Sequence, residues 1–334
     1  MRRALLAGLL VAGVVSGPSG AQVVATLGDF HDKPVISETD RQQIRAWIGV
    51  RIGNLIAGRD ADLRRMVAAR KDIVREGSLD PSWSEAFNQA YGEEVSSILE
   101  KADPRAVSQQ ARVNLMMTVA QLQRLENAEI LMKSLTEDPY PAARYWAARG
   151  LSMVAPRIVE MVMPRLEQQI AERSVKAFET ETNELTLYYL FETLGRFDHE
   201  KAHDVLAAGV AKVASRLTAS GPTGAYALGG AVRALQKAHS GDVRPEARQR
   251  LLSAYAALCA WVMPPVADPN LMPALNASLE QITGQKVGFA STYGEEAQKL
   301  ALLEWVEKFV REKQIPVRPS LPPAVDKAAA RASR

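Results

Sequence analysis

Apolar side chains recur every three or four residues along nearly all of the chain from about residue 36 to residue 314. This is the period of an α-helix with one buried face, whereas the alternating Val-, Ile- and Thr-rich runs of β-strands are nearly absent. Pro and Gly fall mostly between the periodic segments, where they separate one helix from the next. The pattern predicts an all-α protein with helices at 38–57, 59–76, 81–101, 106–123, 126–136, 139–154, 157–176, 181–196, 199–217, 223–239, 244–262, 269–283 and 294–313.

The spacing of these helices indicates a repeat. Alternate helices start near residues 106, 139, 181, 223 and 269, which gives steps of roughly 33, 42, 42 and 46 residues. Steps of this size are typical of an α-α superhelix, a solenoid of antiparallel helix pairs in which each pair buries its apolar face against its neighbours. In the clearest unit, Asp138 and Pro139 begin a helix whose apolar stripe is Ala143, Trp146, Ala147 and Leu151.

Two stretches carry the residue pattern of a known repeat family. "DPYPAARYWAARGL" has the first-helix pattern at Asp138, Pro139, Ala143, Arg144, Ala147, Ala148 and Leu151. "TLGRFDHEKAHDVLAAGVAKV" has the inter-helix pattern at Leu194, Gly195, Asp198 displaced by one residue, Ala202 and Leu206. These stretches resemble HEAT-type helical repeats, and "LEQITGQKVGFASTYGEEAQKLALLEWVEKF" is similar to a closing unit of exported bacterial HEAT-repeat proteins. The resemblance implies a HEAT-like solenoid with a binding or scaffolding role and implies no reaction.

The N-terminus has the composition of a secretory signal. The basic "MRR" precedes the apolar "ALLAGLLVAGVV", and the small residues Ser19 and Ala21 stand at the −3 and −1 positions of a cleavage site. We therefore predict a signal peptide at 1–21 and an exported protein, periplasmic or extracellular, with no stable membrane span after cleavage. An uncleaved anchor helix is the alternative, although the apolar run is short for a bilayer.

The rest of the chain divides by composition and periodicity. The predicted units are an extended N-terminal segment at 22–35, an N-terminal helical region at 36–104, a HEAT-like repeat array at 105–314 and a disordered Pro- and Ala-rich tail at 315–334.

Charge and cysteine content narrow the function classes. The chain has 41 Lys and Arg against 38 Asp and Glu, a formal net charge of +3. Because so small an excess creates no field that would recruit nucleic acid, we predict no nucleic-acid partner. The single cysteine, Cys259, cannot form a disulfide within the chain. Its Ala, Leu, Trp and Val neighbours are typical of a buried position.

One stretch suggests metal chemistry. His199, Glu200 and His203 spell His-Glu-x-x-His, which places two imidazoles one helical turn apart with a carboxylate that can activate a zinc-bound water. A catalytic zinc also needs a third ligand, but Leu206 and Gly209 occupy the positions where the longer metzincin motif has Gly and His. The motif also lies in the first turn of its predicted helix, behind an Asp198 cap. We interpret the stretch as a repeat helix with no metal or other cofactor, and we keep a zinc-dependent metallopeptidase, with Glu200 as base, as an alternative.

The function that the sequence favours is a non-catalytic protein-binding or scaffold protein of the periplasm or cell exterior, with a protein or peptide as its partner and no catalytic residues. Within "NELTLYYLFETL", Tyr188, Tyr189 and Phe191 are candidates for lining a partner groove. Packing between repeats is the alternative role for these three residues. A structural subunit of a larger envelope complex is a further alternative, and the oligomeric state is left open.

Overall fold

A computed structural model describes residues 26–57, 63–78, 80–103, 106, 108–220 and 225–239, with the isolated residues 250, 251, 254, 277 and 280. The predicted signal peptide, Cys259, the three predicted helices beyond residue 239, the closing unit and the tail lie outside this part of the chain, apart from those isolated positions.

The described residues form α-helices and no strand, which confirms the predicted all-α class. The helices are α1 (Gly28–His31), α2 (Glu38–Ile56), α3 (Leu63–Gly77), α4 (Glu85–Ala102), α5 (Gln109–Leu122), α6 (Ala128–Glu137), α7 (Pro141–Glu160), α8 (Pro164–Thr180), α9 (Glu184–Leu194), α10 (Glu200–Ser220) and α11 (Ala225–His239). In the described part, no helix is long and apolar enough to cross a membrane. The one-turn helix α1 lies in segment 22–35, which the sequence predicts to be extended.

The helix boundaries follow from local chemistry. Side chains accept hydrogen bonds from the first free backbone N–H groups at the starts of α2, α4, α5 and α9, the capping residues being Ser37, Ser84, Ser108 and Asn183. Helices α7 and α8 begin instead with Pro141 and Pro164, whose missing N–H would have no partner in a first turn.

The predicted end of the helix at residue 154 was wrong, because α7 continues to Glu160 through Pro156. Pro156 lies on the exposed side of α7. The helix ends in a turn where the N–H groups of Val162 and Met163 donate to the carbonyls of Val159 and Ile158, at 3.0 and 3.1 Å. Val162 takes the left-handed φ of 53° that this type of helix end requires.

The helices pack in two rows that alternate along the chain. In the odd row, α3, α5, α7, α9 and α11 each pack on the next member, while α6, α8 and α10 form an even row in the same way. Contacts such as those between α6 and α7 join the two rows, and α2 packs on α3, α4 and α5 at the N-terminal end. Packing between alternate helices fits an α-α superhelix, in which every hairpin covers the apolar face of its neighbour.

The predicted apolar stripe of α7 forms most of the buried face of this helix. Ala143, Ala147 and Leu151 are fully buried, as the apolar stripe predicts. Trp146, the other member of that stripe, stays partly exposed at the border between core and solvent. The stripe therefore identifies the buried face correctly but misplaces its edge.

Arginines connect the turns between successive hairpins. Arg112, the fourth residue of α5, forms ion pairs with Asp103 in the turn before its hairpin and with Asp138 in the turn after it. Arg144, the fourth residue of α7, donates to the backbone carbonyl of Asp138 at 2.9 Å and to the carboxylate of Glu181, one turn further on, at 2.7 Å. Since the Asp138 and Glu181 side chains are buried, each bridge is shielded from water.

We expect Asp138→Ala to lower the free energy of unfolding by about 3 kcal/mol, because the change removes one buried partner of Arg112 and the acceptor for the Tyr140 N–H. The matched control is Glu179→Ala, which removes an exposed pair with Lys212 and should cost about 0.5 kcal/mol or less. Urea denaturation followed by circular dichroism measures both. Equal losses in the two variants would contradict a structural role for the buried bridge.

Candidate functional site

Four aromatic side chains form a partly exposed row across α7 and α9. We call Tyr145, Trp146, Tyr188 and Tyr189 the aromatic row. Tyr145 lies 5.4 Å from Trp146 and 5.7 Å from Tyr189, and Tyr188 lies 5.1 Å from Tyr189, between ring centroids. The ring planes meet at 65° to 89°, the edge-to-face geometry in which aromatic pairs attract.

Two arginines lie against this row. The guanidinium carbon of Arg149 is 4.8 Å from the Trp146 ring centroid and 6.0 Å from that of Tyr189. Arg149 Nη1 also donates to the Tyr145 hydroxyl at 3.4 Å. Arg233 places its guanidinium carbon 5.0 Å from the Tyr188 ring centroid. These are cation–π distances, so the rings hold both guanidinium groups at the surface.

The positions of these residues within their helices explain why they meet. Tyr145 and Trp146 are the fifth and sixth residues of α7, and Tyr188 and Tyr189 are the fifth and sixth residues of α9. In α11 the same positions hold Gly229 and Gly230, while the ninth position holds Arg149 in α7, Glu192 in α9 and Arg233 in α11. Because equivalent positions of stacked helices lie side by side, a row on the surface follows from this register.

Gly230 allows α11 to approach Tyr188 closely. A β-carbon at Gly230 would lie 2.8 Å from Tyr188 Cδ2 and 3.2 Å from Tyr188 Cα, whereas one at Gly229 would meet nothing within 4 Å. Gly230 therefore lies at a close contact between α9 and α11, and Gly229 does not.

The structure separates the three residues that the sequence proposes for partner binding. Tyr188 and Tyr189 lie at the surface, but Phe191 is fully buried and stacks on Phe178 with ring centroids 4.9 Å apart. Phe191 is thus a core residue and leaves the candidate site. The sequence interpretation missed Tyr145, Trp146, Arg149 and Arg233, although aligning the helix starts would have placed the first two beside Tyr188 and Tyr189.

The Tyr189 hydroxyl stays protonated near neutral pH. Burial raises the pKa of the Tyr189 hydroxyl and Tyr145 raises it further, against an opposing effect of Arg149. Tyr189 is therefore neutral in this range, and its ring presents an undisturbed π face to Arg149.

The His199–His203 stretch is built around the start of α10. The backbone carbonyl of His199 accepts hydrogen bonds from the N–H groups of Ala202 and His203 at 2.9 and 3.1 Å. The Nδ1 atom of the His199 imidazole accepts one from the Lys201 N–H at 3.1 Å. His199, and not Asp198, is therefore the capping residue. Glu200 is exposed and lies 3.8 Å from Arg250.

His203 is buried and its Nε2 donates to the Phe197 carbonyl at 3.1 Å. Burial lowers the pKa of the imidazole, so His203 is neutral at neutral pH with the proton on Nε2. One nitrogen of each imidazole thus forms a hydrogen bond with a backbone group near the start of α10. Within the described ranges, no group of three His, Cys, Asp or Glu side chains is arranged to hold a metal ion.

No protein-family model matches this chain, and no curated protein matches it. The functional interpretation consequently depends on the geometry of the aromatic row and its two arginines.

Replacing Gly230 by Ala should lower the free energy of unfolding by about 1–2 kcal/mol, because the added β-carbon would displace Tyr188 or α11. Gly229→Ala should instead raise it by up to about 1 kcal/mol, since the new methyl group meets open space and Ala favours the helix. Thermal and urea unfolding of the pair measure the difference. If both substitutions stabilised the chain, the close contact at Tyr188 would be disproved.

His203 should make the folded state less stable in mild acid. Its pKa is lowered by folding, so the unfolded chain takes up a proton first as the pH falls below about 6.5, and stability is lost from there downward. His203→Gln keeps an N–H donor for the Phe197 carbonyl and does not titrate. We expect the drop in melting temperature between pH 7.5 and pH 5.5 to be smaller in His203→Gln than in the wild type. An identical drop would show that His203 contributes nothing to the acid sensitivity.

Proposed function

We propose that the chain is a non-catalytic binding or scaffold protein of HEAT-like repeats, exported to the periplasm or cell exterior, which takes a protein or peptide partner on the aromatic row. The N-terminal basic and apolar pattern supports export. The Asp138–Arg144 pattern, with its bridges to the neighbouring turns, supports the HEAT-like assignment.

One observation carries the proposal, which is the difference between the two rows of helices. The odd helices α7 and α9 present the four partly exposed rings of the aromatic row. The even helices α6, α8 and α10 contain a single aromatic residue, Phe178, and it is buried. Tyr, Trp and Arg are the residue types enriched where proteins bind one another, so the odd face has the composition of an interface.

The neighbouring surface extends the same character. Leu185 on α9, which precedes Tyr188 and Tyr189 by about one helical turn, is 44% exposed. Tyr226 on α11 is 70% exposed, and its backbone N–H donates to Glu184 at the start of α9. These large exposed side chains near the helix starts give a partner more to cover than isolated surface residues would.

The metallopeptidase alternative gains no support from the geometry. The hydrogen bonds of His199 and His203 to backbone groups account for both residues as parts of a helix start. Membership of a larger envelope complex is a form of the same binding function, and it is distinguished by whether the partner dissociates on purification.

Site-specific photo-crosslinking in the native host tests the proposal. We expect benzoylphenylalanine in place of Tyr188 to capture a discrete partner, whereas the same residue in place of Val175 should not. Val175 is the matched control because it is 44% exposed on the even helix α8.

A Tyr188→Ala/Tyr189→Ala variant should then weaken binding of the captured partner by about tenfold or more, the usual effect of removing central aromatic contacts. Circular dichroism establishes that the variant is folded. Equal capture from both positions, or no capture by folded protein at either, would refute the proposal.

A further inference from the structure

We propose that the partner presents an acidic, extended peptide segment, whose carboxylates pair with Arg149 and Arg233. This inference rests on the proposed function and specifies the chemistry of the partner.

The two arginines differ from the others on the odd helices α5 to α11. Arg112 and Arg144 bind carboxylates, and Arg157 donates to the Gln123 backbone carbonyl at 3.2 Å. Arg149 and Arg233 contact aromatic rings, Arg149 adding the Tyr145 hydroxyl, and within the described ranges neither has a carboxylate in ion-pair distance. Their positive charges are therefore not neutralised by the described part of the chain.

The ring contacts leave most N–H donors of these guanidinium groups for a carboxylate. An arginine has five N–H donors, and within the described part of the chain Arg149 uses one of them, at Nη1, for the Tyr145 hydroxyl. The rings also restrict the side chains, so less conformational entropy is lost when a carboxylate binds. Arginine held in this way favours a planar, bidentate acceptor.

Carboxylates of the same surface do not compete for the two arginines. Glu192 occupies the ninth position of α9, equivalent to Arg149 and Arg233, but it accepts from Ser152 and from Arg196, both at 3.0 Å. The surface also carries Lys237, whose pKa is lowered by burial and then by Arg196. A positively charged surface of this kind favours an acidic partner.

The distance between the two guanidinium groups limits the spacing of acidic residues in the peptide. The path from Arg149 through the Tyr189 and Tyr188 rings to Arg233 sets an upper limit of about 16 Å between the two guanidinium carbons. An extended chain covers that distance in about five residues, at about 3.3 Å each. Two acidic residues up to five positions apart can therefore reach both arginines.

Charge also separates the possible occupants. The C-terminal segment 315–334 carries Arg318, Lys327, Arg331 and Arg334 against Asp326, so its net positive charge does not complement the two arginines. Single-stranded nucleic acid also stacks on Tyr and pairs with Arg. However, the formal net charge of the whole chain is only +3, and so small an excess favours the acidic peptide over a nucleic acid.

A phage-displayed library of random 12-residue peptides, selected on the full chain, tests the inference. We expect enrichment of peptides with two Asp or Glu residues at most five positions apart. Fluorescence polarisation with a synthetic copy of a selected peptide should then show affinity reduced at least tenfold by Arg149→Met/Arg233→Met. Arg165→Met/Lys176→Met on the even helix α8 is the matched control and should leave the affinity unchanged.

Further arms separate the outcomes. Arg149→Lys/Arg233→Lys should give an intermediate affinity if planar pairing matters, and raising NaCl from 50 to 300 mM should weaken the wild-type complex. Selected peptides without acidic enrichment that still lose binding in Tyr188→Ala/Tyr189→Ala would overturn the acidic partner and leave the proposed function standing. Tighter binding of oligo(dT) than of any selected peptide would also overturn it. Failure of both selection and crosslinking would refute the two proposals together.

Discussion

The register of the odd helices depends on the arginine bridges between turns. Burial of Ala and Leu side chains stabilises the helical stack, but apolar contact is non-directional and permits several helix offsets. Arg112 and Arg144 remove that freedom, because each must reach two consecutive turns from the fourth position of its helix. Tyr145 follows Arg144 directly, so the bridge that aligns α7 also sets the height of the aromatic row.

The arginine bridge between turns has a different donor at the start of α9. Leu187 takes the fourth position of this helix, so no arginine is available there. Arg216 of α10 reaches the same turn instead, with its Nη2 donating to the Glu181 backbone carbonyl at 2.6 Å. The Glu181 carboxylate also accepts from the N–H groups of Thr182 and Asn183, which lead into α9. The turn keeps its connections on both sides, although the donor comes from the other row of helices.

Sequence periodicity predicts features that are set within one helix, such as its start. It does not predict side-chain exposure that depends on neighbouring helices. The starts of α7 and α9 are predicted to within three residues, although Pro141 and not the predicted Pro139 begins α7, and Asn183 caps α9. The exposure of Trp146 and the burial of Phe191 depend on contacts with other helices, such as the stacking of Phe178 on Phe191. The periodicity of a single helix carries no information about such neighbours. The role of the His-Glu-x-x-His stretch likewise depends on its position, because His199 caps α10 instead of lying within it.

The cation–π contacts of Arg149 and Arg233 change the character of the exposed rings. Four adjacent aromatic side chains without cover would favour non-specific association. Arg149 and Arg233 lie over two of these rings and place a charge beside each, so the free surface is polar as well as aromatic. In the binding mode that we propose, a carboxylate pairs with these guanidinium groups while the ring contacts stay in place. Glu192 cannot pre-empt this pairing because Ser152 and Arg196 hold it. In our proposal, the contacts that make the unbound surface polar also position the two arginines for an acidic partner.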